Sequence, residues 1–342
     1  MKIWFDILTP KQYLFFEYFI HKLKKQHTII STSRKYEQVN NITQYGNIKP
    51  ILIGKHGGSR KQDKLVASLE RSKLLTKKIG RFNPDLLISF CSPEASRVAF
   101  GLGIQHIAFS DSPQAKAVMK LSLPYVTKLL TPWIFSKDDF KEYNIDLKDI
   151  IKYKAIDASV IIKNYKNSKQ KKVNAKKIIL IRPEEIEASY VQQKSKTNET
   201  IKKIVENFPN EKKIVLSRYK KQSDDLKRMF GRKILLYTKP INGEKYLMKA
   251  DCFIGSGGTM TAESALLGIP TISLNSIPNK IEEFLVKKKV LVRNNIPDKI
   301  TKEITQIFNN DDIVRKRKEN AKKIVSSFED PYKILLKTIK TL

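Results

Sequence analysis

A chain of 342 residues and 39.5 kDa is longer than one hydrophobic core usually organises, so two domains of roughly 150 residues each are expected. Hydrophobic residues make up 41%, which excludes a disordered or fibrous chain. Two cysteines, Cys91 and Cys252, exclude a disulfide scaffold and lack the spacing of a metal site, which points to a reducing cytoplasm. The balance of 66 basic against 34 acidic residues gives +32 and favours anionic partners. Its lysines are spread as pairs such as Lys24-Lys25, Lys77-Lys78 and Lys212-Lys213, so a dedicated nucleic-acid surface is not expected.

Short apolar runs alternate with helical periodicity from the start of the chain. Lys2–Leu8 reads as a strand and Lys11–Gln26 as an amphipathic helix. Asp6, Lys11, Glu17 and His21 interrupt this opening, which argues against a spanning helix and against a signal peptide. Further strands are expected at His27–Thr32, Pro50–Gly54, Asp85–Phe90, Gln105–Phe109, Lys128–Thr131 and Ile150–Tyr153. Helices are expected near Gln62–Arg81, Pro93–Leu102 and Pro113–Leu121. Such alternation predicts a parallel sheet with helices on both faces. The lysine-rich stretch Lys163–Lys177 reads as a linker between an N-terminal domain, 1–162, and a C-terminal domain, 178–342.

The alternation resumes with strands Ile178–Ile181, Lys213–Ser217, Ile234–Tyr237, Ala250–Gly255, Pro270–Leu274 and Val290–Val292. Helices are expected near Thr197–Asn207, Asp224–Phe230, Met260–Leu267, Lys280–Lys288, Pro297–Phe308 and Asp312–Lys340, the last able to pack back on the N-terminal domain. The fold class is therefore α/β, with two doubly wound, Rossmann-like parallel sheets facing a cleft.

The most informative stretch runs from a hydrophobic strand straight into Gly255-Ser256-Gly257-Gly258-Thr259-Met260 and then a helix that includes Glu263. Glycines let backbone amides approach a ligand closely, and a helix N-terminus attracts anionic oxygens, so a phosphate or diphosphate suits this turn. A tight turn with Glu263 simply solvated is the plainer alternative. Gly268-Ile269-Pro270 ends the helix and starts another strand, completing a strand-turn-helix-strand unit.

This pattern, with the preceding loop Pro240-Ile241-Asn242-Gly243, resembles the donor-binding half of B-fold glycosyltransferases and of non-hydrolysing UDP-N-acetylglucosamine 2-epimerases. The resemblance implies that a loop containing Ile241 lies over the base, that Ser256, Gly257, Gly258, Thr259 and Met260 hold the diphosphate, and that Glu263, five residues before Gly268, binds ribose. Over nearly the whole chain, the ordered motifs Lys2-Ile3-Trp4-Phe5-Asp6-Ile7, Ile53-Gly54-Lys55-His56-Gly57-Gly58, Arg97 to Ile104, Arg182-Pro183-Glu184 with Ala188-Ser189-Tyr190, and Gly257-Gly258-Thr259-Met260 resemble the family called domain of unknown function 354. The first loop departs from that family's Asn-Pro-Pro-His pattern and reads Leu8-Thr9-Pro10-Lys11-Gln12-Tyr13, and Phe90 or Cys91 stands where a histidine is usual.

Arg182 and Arg218 end the first two strands of the second domain and are candidates for the diphosphate. His56, Asp6, Glu94 and Asp111 follow or end strands of the first domain and are candidate acid/base groups for an acceptor, although backbone bonding by His56 and helix capping by Asp111 and Glu94 explain them as well. The expected activity is metal-independent sugar transfer from a nucleotide-sugar, UDP-linked by resemblance, to an acceptor that is a glycan, a lipid-linked compound or a small molecule. No cofactor is expected. A 2-epimerase-like enzyme and a non-catalytic binding or assembly protein on the same fold are the alternatives. A cytoplasmic location is expected, and the positive charge allows peripheral contact with an acidic inner membrane face.

Overall fold

The computed structural model describes residues 1–35, 43, 46–58, 60–165, 176–184, 197–218, 220–237, 243–275 and 279–342. They form two compact units, one of Met1–Ile161 with Glu329–Leu342 and one of Ile162–Phe328.

Unit 1 is built on seven strands: β1 (Lys2–Asp6), β2 (Thr28–Lys35), β3 (Ile51–Lys55), β4 (Leu86–Ser89), β5 (Gln105–Phe109), β6 (Lys128–Pro132) and β7 (Ile150–Tyr153). All pairs are parallel and the order is β3-β2-β1-β4-β5-β6-β7. Its helices are α1 (Pro10–Leu23), α2 (Lys61–Phe82), α3 (Pro93–Gly101), α4 (Lys116–Ser122) and α5 (Asp157–Ile162). Successive strand side chains point to opposite faces, and helices cover both, so the strands read as continuous apolar runs. Trp4 and Leu87 pack with Leu75, Ile79, Val98 and Ala99 of α2 and α3. On the other face Phe5 meets Phe16 of α1 at a ring separation of 5.3 Å, within a cluster holding Phe15, Phe19, Phe90 and Phe109. The aromatic stripe of α1 is therefore core.

Unit 2 repeats the plan with β8 (Ile178–Arg182), β9 (Lys212–Leu216), β10 (Leu235–Tyr237), β11 (Cys252–Gly255), β12 (Thr271–Ser273) and β13 (Leu291–Arg293), in the order β10-β9-β8-β11-β12-β13. Again every pair is parallel. Ile179, Ile181, Cys252 and Ile254 face one apolar cluster, while Leu180, Ile214, Leu216 and Phe253 face the other. The covering helices are α6 (Thr197–Asn207), α7 (Lys220–Phe230), α8 (Gly243–Leu247), α9 (Thr259–Leu266), α10 (Lys280–Lys287), α11 (Pro297–Asn309) and α12 (Asp311–Ser326).

The single closing helix expected over Asp312–Lys340 is instead two, because Pro331 has no N–H to continue the ladder. Asp330 caps the second piece, α13 (Pro331–Ile339), by accepting from the Tyr332 amide. This helix belongs to unit 1, where Tyr18 donates its hydroxyl to Asp330 at 2.6 Å and the Lys154 amide donates to Glu329 at 2.6 Å. Among the described residues no helix is long and apolar enough to cross a membrane.

Candidate functional site

In each sheet the strand order reverses direction once, between β1 and β4 in unit 1 and between β8 and β11 in unit 2. Open parallel sheets bind ligands beyond the strand carboxyl ends at such a point.

In unit 2, β11 ends there at Gly255, in register with Arg182 on one side and Ser273 on the other. Gly257 and Gly258 follow with φ of +86° and +83°, a left-handed conformation that favours glycine. Gly258 is the N-cap of α9, and a Cβ added to it would meet nothing within 4 Å, so its outer face is open. A Cβ at Gly257 would lie 3.0 Å from Asn275 Nδ2. Asn275 in turn donates to the buried Glu282 carboxylate at 2.6 Å, as do Ser273 at 2.5 Å and Asn279 at 2.9 Å. That network backs the turn from β12 and α10. Ser256 Oγ is buried and has no hydrogen-bond partner among the described residues. A buried hydroxyl without a partner is costly in a folded protein, and an arriving oxyanion would satisfy it.

Thr259 and Met260 open α9, and Met260 packs on the apolar cluster around Leu247 and Phe253. One turn on, Glu263 is buried and accepts a hydrogen bond from the Tyr165 hydroxyl at 2.5 Å. Burial pushes its carboxyl up to about 7, and the Tyr165 bond only partly offsets that. Arg182 donates from one guanidinium nitrogen to the carbonyls of Leu216 and Ser217, each at 3.0 Å, and Arg218 donates from Nε to the Pro183 carbonyl at 2.9 Å. These bonds tie together the ends of β8 and β9. Ile241 lies outside the described residues, as do Ala188, Ser189 and Tyr190.

In unit 1 the switch point holds Asp6 and Glu94, and both are engaged by Arg71 of α2. The guanidinium, 1% exposed, lies 2.6 Å from Asp6 Oδ1 and 3.4 Å from Glu94 Oε2. Thr32 also donates to Asp6 Oδ1 at 2.6 Å, while Asp6 Oδ2 is buried with no hydrogen-bond partner among the described residues. Burial drives His106 down to about 3 and leaves it neutral, with Nε2 2.9 Å from Ser89 Oγ. His56 sits at the end of the edge strand β3, two strands from the switch point. Its Nδ1 accepts from the Gly58 amide at 3.1 Å, and partial burial with Arg34 and Lys64 nearby holds its pKa below the ordinary 6.5.

Asp111 belongs to a separate centre that the sequence alone does not reveal. Lys11, at the start of α1, extends Nζ to 2.5 Å from Asp111 Oδ2 and 2.7 Å from Asp157 Oδ2, and lies 5.0 Å over the Phe90 ring. Tyr153 donates to Asp157 Oδ1 at 2.8 Å. Three loops, after β1, β5 and β7, thus converge on one cation. Burial disfavours every charge here, yet the two carboxylates hold the Lys11 ammonium above its ordinary range. Lys11 in turn outweighs burial at Asp111 and holds it low. Asp157 is pushed up to about 6 by burial and by its neighbour Asp111. Asp157 marks the start of α5, four residues after β7 ends at Tyr153, and a carboxylate at a helix start beyond a strand is the signal by which it could be found in the sequence. Among the described residues no three His, Cys, Asp or Glu side chains form a metal-binding group.

The model of the family described as protein of unknown function DUF354 matches residues 1–341. The chain belongs to that family. An uncharacterized protein of Methanocaldococcus jannaschii is 27% identical over 311 residues, covering 86% of this chain and 88% of the relative. Among solved structures, a UDP-GlcNAc 2-epimerase from Neisseria meningitidis bound to UDP-GlcNAc superposes with a TM-score of 0.76 at 16% identity, covering 100% of both chains. The M. jannaschii UDP-GlcNAc 2-epimerase in complex with UDP-GlcNAc and UDP gives 0.67 at 15% identity, covering 95% of this chain and 99% of that one. The spinosyn forosaminyltransferase gives 0.66 at 12% identity, covering 100% and 99%. At these identities the likeness shows the fold, which is that of the B-type glycosyltransferases and the epimerases.

Proposed function

We propose that the protein is a nucleotide-sugar-dependent enzyme, a metal-independent glycosyltransferase whose donor is UDP-linked. The observation that carries this reading is the turn at the unit 2 switch point. There the open Gly258, the unsatisfied Ser256 hydroxyl and the α9 amides face the place of an anion, with Glu263 one turn beyond. Leaving-group charge would be stabilised by those amides and the helix dipole, which need no reorganisation during reaction. Two of the structurally similar proteins were solved with UDP-GlcNAc bound, which supports UDP as the nucleotide.

On the acceptor side the Lys11, Asp111 and Asp157 centre is the best supported acid/base group of unit 1. It sits at strand carboxyl ends, and Asp111, held low by Lys11, retains 14% side-chain exposure, while the raised carboxylate of Asp157 lies buried behind the same ammonium. Asp6 and Glu94 are tied to Arg71 and are better read as structural. A second reading is a 2-epimerase-like elimination and re-addition of UDP, supported by the likeness in fold to UDP-GlcNAc 2-epimerases.

The test is thermal stabilisation by UDP-, ADP- and GDP-linked sugars on the wild type and on Glu263→Ala. A nucleotide at 100 times its Kd adds about 2.7 kcal/mol to the folded state. Selective stabilisation by UDP or a UDP-sugar, abolished by the substitution, is expected. No stabilisation by any nucleotide would remove the donor site and leave a binding or assembly role. Exchange of the sugar C2 hydrogen with deuterated solvent would select the epimerase reading.

A further inference from the structure

Tyr165 follows α5 in a stretch whose composition marks it as linker, yet its ring packs in unit 2 with the cluster of Leu180, Leu247 and Phe253. Its hydroxyl is the hydrogen-bond partner of the Glu263 carboxylate among the described residues. A buried carboxylate holding one neutral donor is poorly compensated, and its pKa near 7 reflects this. A ribose hydroxyl would offer the same carboxylate the same kind of O–H donor, and a ribose carries two.

We propose that Tyr165 sets the nucleotide affinity of the donor site, its hydroxyl standing on Glu263 where a ribose hydroxyl binds, so that a nucleotide must displace it. The inference rests on the donor-site reading above. The exchange is one phenolic donor for the vicinal pair of a ribose, so the carboxylate gains a bond when a nucleotide enters. A ligand that fills only the glycine turn leaves Tyr165 in place and gains nothing from Glu263. Tyr165 thus lowers the affinity for nucleotide product and donor alike and leaves that for free phosphates unchanged.

Tyr165→Phe removes the hydroxyl and keeps the ring in its apolar seat. Calorimetric titration near pH 7.5 with UDP and with inorganic pyrophosphate compares it with the wild type. UDP is expected to bind the variant about five- to tenfold more tightly, the value of roughly one hydrogen bond to a charged group, while pyrophosphate affinity stays within about twofold. In a Glu263→Gln background the same change should alter UDP affinity by less than about twofold, since sites acting through one partner are not additive. Tyr165→Leu, a second hydroxyl-free variant, should move in the same direction if Phe disturbs folding.

UDP binding equally or more weakly in both hydroxyl-free variants would overturn the role of Tyr165 while leaving the donor site intact. An undiminished effect in the Glu263→Gln background would do so as well. Failure of both ligands to bind any form would overturn the donor reading, and this inference with it.

Discussion

Glu263→Gln gives the most direct physical handle on unit 2. The wild-type carboxyl has an ordinary pKa of 4.5 when unfolded and about 7 in the fold. A carboxyl raised in this way stabilises the fold while protonated, so its contribution is complete below pH 4.5 and is lost as pH rises through about 7. At 1.36 kcal/mol per pKa unit, the whole difference is about 3 kcal/mol. About 2.5 kcal/mol of it falls between pH 5 and pH 8 by the same linkage. Gln cannot ionise and is close to isosteric, so the variant should gain that amount relative to wild type over the interval. Urea denaturation followed by far-ultraviolet circular dichroism reads the difference. Both tryptophans, Trp4 and Trp133, lie in unit 1, so their fluorescence provides a control transition that should not move. A stability difference constant to within about 0.5 kcal/mol across pH 5 to 8 would refute the claim that Glu263 is desolvated.

Other substitutions probe the remaining features. Arg71→Met leaves Asp6 and Glu94 buried without their cation and should cost about 3–5 kcal/mol in a urea titration. Gly257→Ala places a Cβ at positive φ, 3.0 Å from Asn275 Nδ2. It should cost about 1–3 kcal/mol and weaken UDP binding, measured by calorimetry. Lys11→Met strips the cation from two buried carboxylates, so Asp111 and Asp157 should both titrate higher. Its destabilisation should be larger at pH 8 than at pH 5, and equal losses at both would contradict the pairing.

The alternation of apolar runs with helical stretches made both parallel sheets legible, because strands covered on two faces must be apolar throughout. The glycine turn was legible for a similar reason, since strand, turn and helix are contiguous in sequence. Long-range charge pairing was not. Arg71 meets Asp6 across 65 residues, and its only trace is a basic residue within the buried stripe Ala67, Arg71, Leu75 and Ile79. Lys11 read as a mere interruption of an apolar stretch, and its partners Asp111 and Asp157 are brought to it by strands β5 and β7. Pro331 is a visible breaker within the last helical pattern, but the helical periodicity on either side of it masks the break. His56 fell at a strand end followed by glycines, but strand order, which places it at the sheet edge, is not written in local pattern.

Backbone amide hydrogen exchange with and without UDP tests the central claim most directly. Protection concentrated in Gly257 to Thr261 is the predicted result, because those amides would donate to the diphosphate, whereas the Ala262 amide already donates to the Gly258 carbonyl. Bound UDP with unchanged exchange there would contradict it and place the nucleotide elsewhere.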